Sequence, residues 1–127
     1  MESSTQIERC TPIIRVASFK LAMPFYSSIG FIEEWRRQVD PAFPVFAAIS
    51  RGVVKLFLSE HADDGAVGIR LILDVSDVDL FHAECIQNGV EIHEPPQDMV
   101  SGERRMSLRD VDGNVLTFET SRTRRLF

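Results

Sequence analysis

The sequence predicts an α+β fold: two tandem βαβββ modules forming a curved, cup-like mixed sheet with the helices on its outer face. Three observations carry that prediction. Strand-like runs outnumber helical ones and follow the order β-α-β-β-β twice along the chain. Landmarks of the first half recur in the second at nearly one offset: Val16 and Val75 are 59 residues apart, Gly30 and Gly89 are 59 apart, and Gly52 and Gly113 are 61 apart. The 127 residues, 44% of them hydrophobic, suffice for one core, whereas either half alone is too short to bury its own helix and sheet.

The first module, residues 11–59, begins with a β-branched run at 11–16 that reads as a strand. Ser18 is placed to cap a helix over 19–29, and Gly30 to end it in a left-handed conformation. Pro24 interrupts that helix, so the spacing predicts either a kink there or a regular part that begins near it. Strands follow at 31–37, 43–50 and 53–59, with turn chemistry at Asp40-Pro41 and Arg51-Gly52. The polar stretch 60–67 reads as a linker.

The second module, residues 68–120, repeats the order. A strand is predicted over 69–75, then a helix in which Ser76 and Asp79 resemble a capping box, Val78, Phe81 and Cys85 form the apolar stripe, and Asn88-Gly89 closes. A short strand is predicted at 90–93, and Glu94-Pro95-Pro96-Gln97-Asp98 is expected to resist regular structure at the mouth of the cup. Strands at 104–109 and 115–120 flank the turn Asp110-Val111-Asp112-Gly113-Asn114. Residues 1–10 form an N-terminal segment, and 121–127 a basic tail in which Arg122 to Arg125 read as a solvated terminus.

Composition narrows the partners. The net charge of −5 repels a phosphate backbone, which argues against nucleic acid and mildly favours cationic ligands. Cys10 and Cys85 are 75 positions apart and belong to no zinc spacing or disulfide framework. The N-terminus has no basic stretch followed by an apolar run, and no segment approaches the roughly 18 apolar residues of a bilayer span, so no membrane partner and a cytoplasmic location are expected.

Strand alternation sorts side chains by face. Thr11, Ile13, Arg15, Lys55, Phe57, Ser59, Arg70, Ile72, Asp74, Val115, Thr117 and Glu119 are expected to point into the cup. Leu56, Leu58, Leu71, Leu73, Leu116 and Phe118 should form the core under the helices. A face used only for packing rarely carries so many ionisable groups. Arg15 and Asp74 fall at equivalent places in the two modules, where either a mutual pair or a contact to ligand fits. Trp35, Phe43 and Phe46 are candidates for a stacking surface that suits planar heteroaromatic ligands, against the alternative of ordinary core aromatics. Glu60, His61, Asp63 and Asp64 read as a solvated turn, and His82 and His93 as surface or packing residues. No phosphate-binding glycine loop, GxSxG elbow or HExxH motif is present.

Ile14-Arg15-Val16, Pro24-Phe25-Tyr26, Ile29-Gly30-Phe31, Val75-Ser76-Asp77-Val78, Asn88-Gly89-Val90 and the turn Arg109-Asp110-Val111-Asp112-Gly113-Asn114 occur in an order that resembles the vicinal-oxygen-chelate superfamily, with Val111 replacing the proline usual in that turn. This superfamily includes glyoxalase, extradiol dioxygenases and bleomycin resistance proteins. The resemblance spans residues 11–120, and the run from Ser50-Arg51-Gly52 through Leu58-Ser59-Glu60-His61 is similar to the small bleomycin-resistance-like members.

The resemblance implies one such domain over 11–120, acting as a homodimer with ligand sites in clefts shared between subunits. The superfamily's metal ligands stand on strands facing the cup; the matching positions here are Thr11, Phe57, Arg70 and Thr117, which are not a normal ligand set, so no metal, no cofactor and no catalytic residue is expected. The leading expectation is a metal-independent protein that sequesters a bulky cationic aromatic antibiotic of the bleomycin type. Ligand contacts are assigned to Trp35, Phe43, Phe46, Phe57, Ser59, Arg70, Thr117 and Glu119. The alternatives are a metal-dependent lyase, isomerase or dioxygenase using Glu60, His61 or Glu119 as unorthodox ligands, and a metabolite sensor or carrier.

Overall fold

A computed structural model describes residues 3–121. The elements run β1 (Ile13–Arg15), α1 (Phe19–Ser28), β2 (Ile32–Arg37), β3 (Phe46–Arg51), β4 (Val54–Ser59), β5 (Arg70–Asp74), α2 (Val78–Gln87), β6 (Glu94–Asp98), β7 (Arg104–Arg109) and β8 (Val115–Thr120). The architecture is α+β, two βαβββ modules in tandem. Each module contributes a four-stranded mixed sheet, ordered β1-β4-β3-β2 and β5-β8-β7-β6. In each the first strand runs parallel to the last and the remaining pairs are antiparallel. The basic tail at 122–127 lies outside the described residues.

Local chemistry explains the helix ends. Ser18 has extended backbone and its hydroxyl accepts from the Leu21 amide at 3.2 Å, which fixes the start of α1. At the far end Gly30 has φ +91°, while the Phe31 amide reaches the Tyr26 carbonyl and the Gly30 amide the Ser27 carbonyl, both at 3.0 Å. The α2 terminus repeats this closure with Gly89, Val90 to Cys85 and Gly89 to Ile86. Pro24 lies inside α1, which is helical on both sides of it.

Three local expectations are corrected. Asp77, not Ser76, caps α2: its carboxylate accepts from the Asp79 and Leu80 amides at 3.0 and 3.2 Å. The strand predicted at 90–93 is displaced to Glu94–Asp98, because the Val90 amide is engaged in closing α2. Both prolines of that strand fall where its register against β7 shifts, between Glu94 and Gln97, on the outermost strand of the sheet, where missing amide donors break no ladder. Third, β3 starts at Phe46 rather than residue 43. Pro41, Pro44 and a turn closed by the Phe43 amide on the Asp40 carbonyl at 2.9 Å hold the chain out of the ladder.

One contiguous hydrophobic cluster joins the modules. It draws Ile14, Leu56 and Leu58 from the first sheet, Leu108, Leu116 and Phe118 from the second, and Tyr26, Phe81 and Cys85 from the helices, with Leu71 and Leu73 packed partly buried against it. The opposite faces of both sheets therefore point away from the shared core. Polar links reinforce the seam: the Tyr26 hydroxyl donates to Asp110 Oδ2 at 2.6 Å, and Asn114 Nδ2 donates to the Arg15 carbonyl at 3.1 Å while Asn114 Oδ1 accepts from the Ile69 amide at 3.0 Å. Burial, followed by the Asp110 charge and hydrogen bond and the Asp112 charge, pushes the Tyr26 pKa far above its ordinary value.

Candidate ligand-binding faces

The register fixes what the outward face of the first sheet carries. Ile13 lies opposite Phe57 and Arg15 opposite Ser59; Phe57 and Ser59 in turn face Ala48 and Phe46, and Trp35 faces Ala48. Three rings meet there. Phe46 and Phe57 have centroids 5.0 Å apart, Trp35 lies 5.7 Å from Phe57, and Trp35 and Phe46 stack at 6.1 Å with 20° between planes. All three are only partly buried.

Cations ring this platform. The Arg37 guanidinium sits 4.7 Å from the Trp35 ring, and Lys55 Nζ is 6.0 Å from Trp35 and 5.9 Å from Phe57. Glu34 pairs with Lys55 at 3.2 Å; hydrogen bonding from Ser50, then from Lys55, holds the Glu34 carboxyl below its ordinary range. The His61 ring lies 6.5 Å from Phe46. Simple alternation along β2 does not place Arg37 and Glu34; the register of β2 against β3, with its shift between Glu33 and Trp35, is what puts them beside the rings.

On the second sheet, Arg70, Ile72 and Asp74 lie opposite Val115, Thr117 and Glu119. Ile72 is 58% exposed, whereas Thr117 is 1% exposed and its hydroxyl has no hydrogen-bond partner. Beside Thr117, the Ser107 hydroxyl donates to Glu94 at 2.7 Å, and Arg70 approaches Glu94 at 3.9 Å. Arg105 binds Glu119 through Nε and Nη2 at 3.0 and 2.8 Å. Ser107, Glu94 and Arg105 were not singled out from sequence, since they lie on β6 and β7.

The expected site residues thus divide into three places. Trp35, Phe46, Phe57 and Ser59 share the outward face of the first sheet; Arg70, Thr117 and Glu119 share that of the second. Phe43 stands apart, 50% exposed in the β2–β3 loop, where it borders a groove of about 800 Å³ with Phe19 and Met23 of α1. Arg15 and Asp74 form no ion pair with each other; the shared core separates the faces they occupy.

The donor chemistry does not fit the divalent ion of the superfamily's enzymes. The matching positions offer two hydroxyls, a phenyl ring and a guanidinium, and among the described residues no three His, Cys, Asp or Glu converge. Glu60 is already engaged: its carboxylate accepts from the Phe19 amide at 2.7 Å and the Val45 amide at 2.9 Å, tying α1 to the approach of β3. Asp64 accepts from the Ser59 hydroxyl at 2.7 Å. The stretch is the exposed turn expected at His61 and Asp63, while Glu60 and Asp64 at its two ends brace it to the fold.

The sequence profile described as glyoxalase superfamily protein matches residues 2–124. The chain belongs to the glyoxalase superfamily. No curated protein matches this superfamily member. Among solved structures it is similar to a bleomycin resistance determinant encoded on the transposon Tn5, at 22% identity and a TM-score of 0.74, over 91% of this chain and 98% of that one. A bleomycin-binding protein complexed with bleomycin gives 22% identity and a TM-score of 0.73, over 91% and 99%. TnmS3, an antibiotic binding protein from Streptomyces sp. CB03234, gives 20% identity and a TM-score of 0.72, over 93% and 99%. At these identities the likeness is one of fold. No helix among the described residues is long and apolar enough to cross a membrane.

Proposed function

We propose that this glyoxalase-superfamily chain is a binding protein that sequesters a bulky, cationic, aromatic antibiotic without a metal and without altering it. The observation that carries this reading is the partly exposed platform of Trp35, Phe46 and Phe57. Ring faces left open on a sheet bury a planar ligand at little entropic cost and attract positive charge; the Arg37 guanidinium and Lys55 Nζ already lie against the Trp35 ring. The donor set at the superfamily's metal positions and the net charge of −5 support the metal-free and cationic parts of the reading.

The ligand cleft is formed by two copies, the first sheet of one facing the second sheet of the other, because each chain exposes one half-lined face on either side of its core. The similar folds of a bleomycin-binding protein and of the antibiotic binding protein TnmS3 support the ligand class. Two unbridged cysteines fit a reducing cytoplasm.

Calorimetric titration of metal-free bleomycin into the purified protein tests the proposal. Saturable binding near one ligand per chain, tighter than about 1 μM (about −8 kcal/mol), is expected. Absence of heat at several temperatures, together with no protection of DNA from the drug at protein excess, overturns it.

A further inference from the structure

Two residues look misplaced within a single chain. Arg15 is partly buried on the outward face of β1, yet its Nε is shielded from solvent without a hydrogen-bond partner, and its guanidinium has no ion pair among the described residues. A shielded cation without a counter-charge is costly unless something supplies one. Asp74 stands exposed on the outward face of β5, also without an ion pair among the described residues. Both occupy the same place in their modules: 59 residues separate them, Arg15 lies opposite Ser59 on the parallel last strand, and Asp74 opposite Glu119.

A second pair obeys the same rule. Ile13 and Ile72 are again 59 residues apart, lie opposite Phe57 and Thr117, and are 36% and 58% exposed. Each sheet therefore presents, on the strand at its margin, one exposed isoleucine followed two residues later by one uncompensated charge, of opposite sign in the two modules.

We propose that Arg15 of one chain pairs with Asp74 of a second copy of this chain, with Ile13 packed on the second copy's Ile72. An axis relating the first sheet of one copy to the second sheet of the other brings equivalent positions opposite one another, and a two-fold dimer makes the contact twice. Opposite charge sets the orientation: first sheet on first sheet would oppose two Arg15, and second on second two Asp74. The pair also removes an unwanted cation from a cleft meant for a cationic ligand. This inference rests on the shared cleft proposed above and names the contact that assembles it.

Charge reversal in two separate chains tests it. Sedimentation velocity is run on the wild type, on Arg15→Glu, on Asp74→Arg, and on an equimolar mixture of the two variants, one carrying a mass tag. The wild type is expected to be a dimer, each variant alone to dimerise about a hundredfold more weakly through two like-charge contacts, and the mixture to regain wild-type affinity as a one-to-one heterodimer. In that heterodimer both contacts are again between opposite charges. Because the two variants rescue each other only across chains, recovery also shows that each is folded. A wild-type dimer with Arg15→Glu equally tight, or a mixture no tighter than its components, overturns the ion pair and leaves the shared cleft standing. A wild type that stays monomeric while binding bleomycin overturns both.

Discussion

Trp35 and Phe57 each touch the other two rings of the platform, so truncating either exposes the rest to solvent and removes one of the three stacking rings. Trp35→Ala or Phe57→Ala is expected to weaken metal-free bleomycin about tenfold or more in the same calorimetric assay, with the far-ultraviolet circular dichroism unchanged. Phe43→Ala, away from the platform, is expected to leave that affinity unaltered. At Tyr26 the hydroxyl donates to a buried carboxylate, and Tyr26→Phe should cost about 1.5–3 kcal/mol in urea unfolding. Its pH dependence has a definite sign. The folded-state pKa lies above the ordinary 10.0, so the contribution of this group is complete below pH 10.0 and is lost as the pH rises beyond it. The alkaline fall in stability should be visibly shallower in Tyr26→Phe. Burial, then Glu84, pushes the Cys85 thiol up to about 11, and Cys10 is exposed. Iodoacetamide at pH 8 is expected to label Cys10 alone, with Cys85 labelled only in denaturant; mass spectrometry of the digested protein reads both.

Individual elements show where local sequence ruled and where it was overruled. Strands β7 and β8 fall on the predicted 104–109 and 115–120, since their alternation is uninterrupted and the intervening turn has Asp110 Oδ1 accepting from the Asp112 and Asn114 amides, each at 2.9 Å. Strand β6 was illegible: two adjacent prolines argue against a strand anywhere except a sheet margin, and margin position is a tertiary fact. Helix α1 keeps Pro24 in its interior although proline there forgoes a backbone bond to the Lys20 carbonyl. Pro24→Ala should therefore raise stability by about 1–2 kcal/mol, less than the full helix-propensity difference because alanine also frees the unfolded chain. A urea midpoint that moves down would show that Pro24 is held by packing rather than merely tolerated.

Across the whole molecule, the modules are halves of one cooperative unit, because their buried faces form one cluster and the links from Tyr26 to Asp110 and from Asn114 to Arg15 cross between them. The single tryptophan, Trp35, reports on the first module, while circular dichroism reports on both. The two signals are expected to trace one coincident urea transition; a separate, earlier tryptophan transition would show the modules to be independent. The sequence by itself determined the module order, the repeat offset, the caps at Ser18, Gly30 and Gly89, and which strand residues share a face, because these follow from periodicities of two and 3.6 and from backbone preferences acting over a few residues. It also carried the superfamily resemblance. Only the tertiary structure decided that Trp35, Phe46 and Phe57 converge, that Phe43 does not, that Glu60 is engaged by two amides, and that Arg15 and Asp74 cannot meet within one chain. Those outcomes depend on register between strands distant in sequence and on which sheet faces are turned towards the common core, and no local preference encodes either.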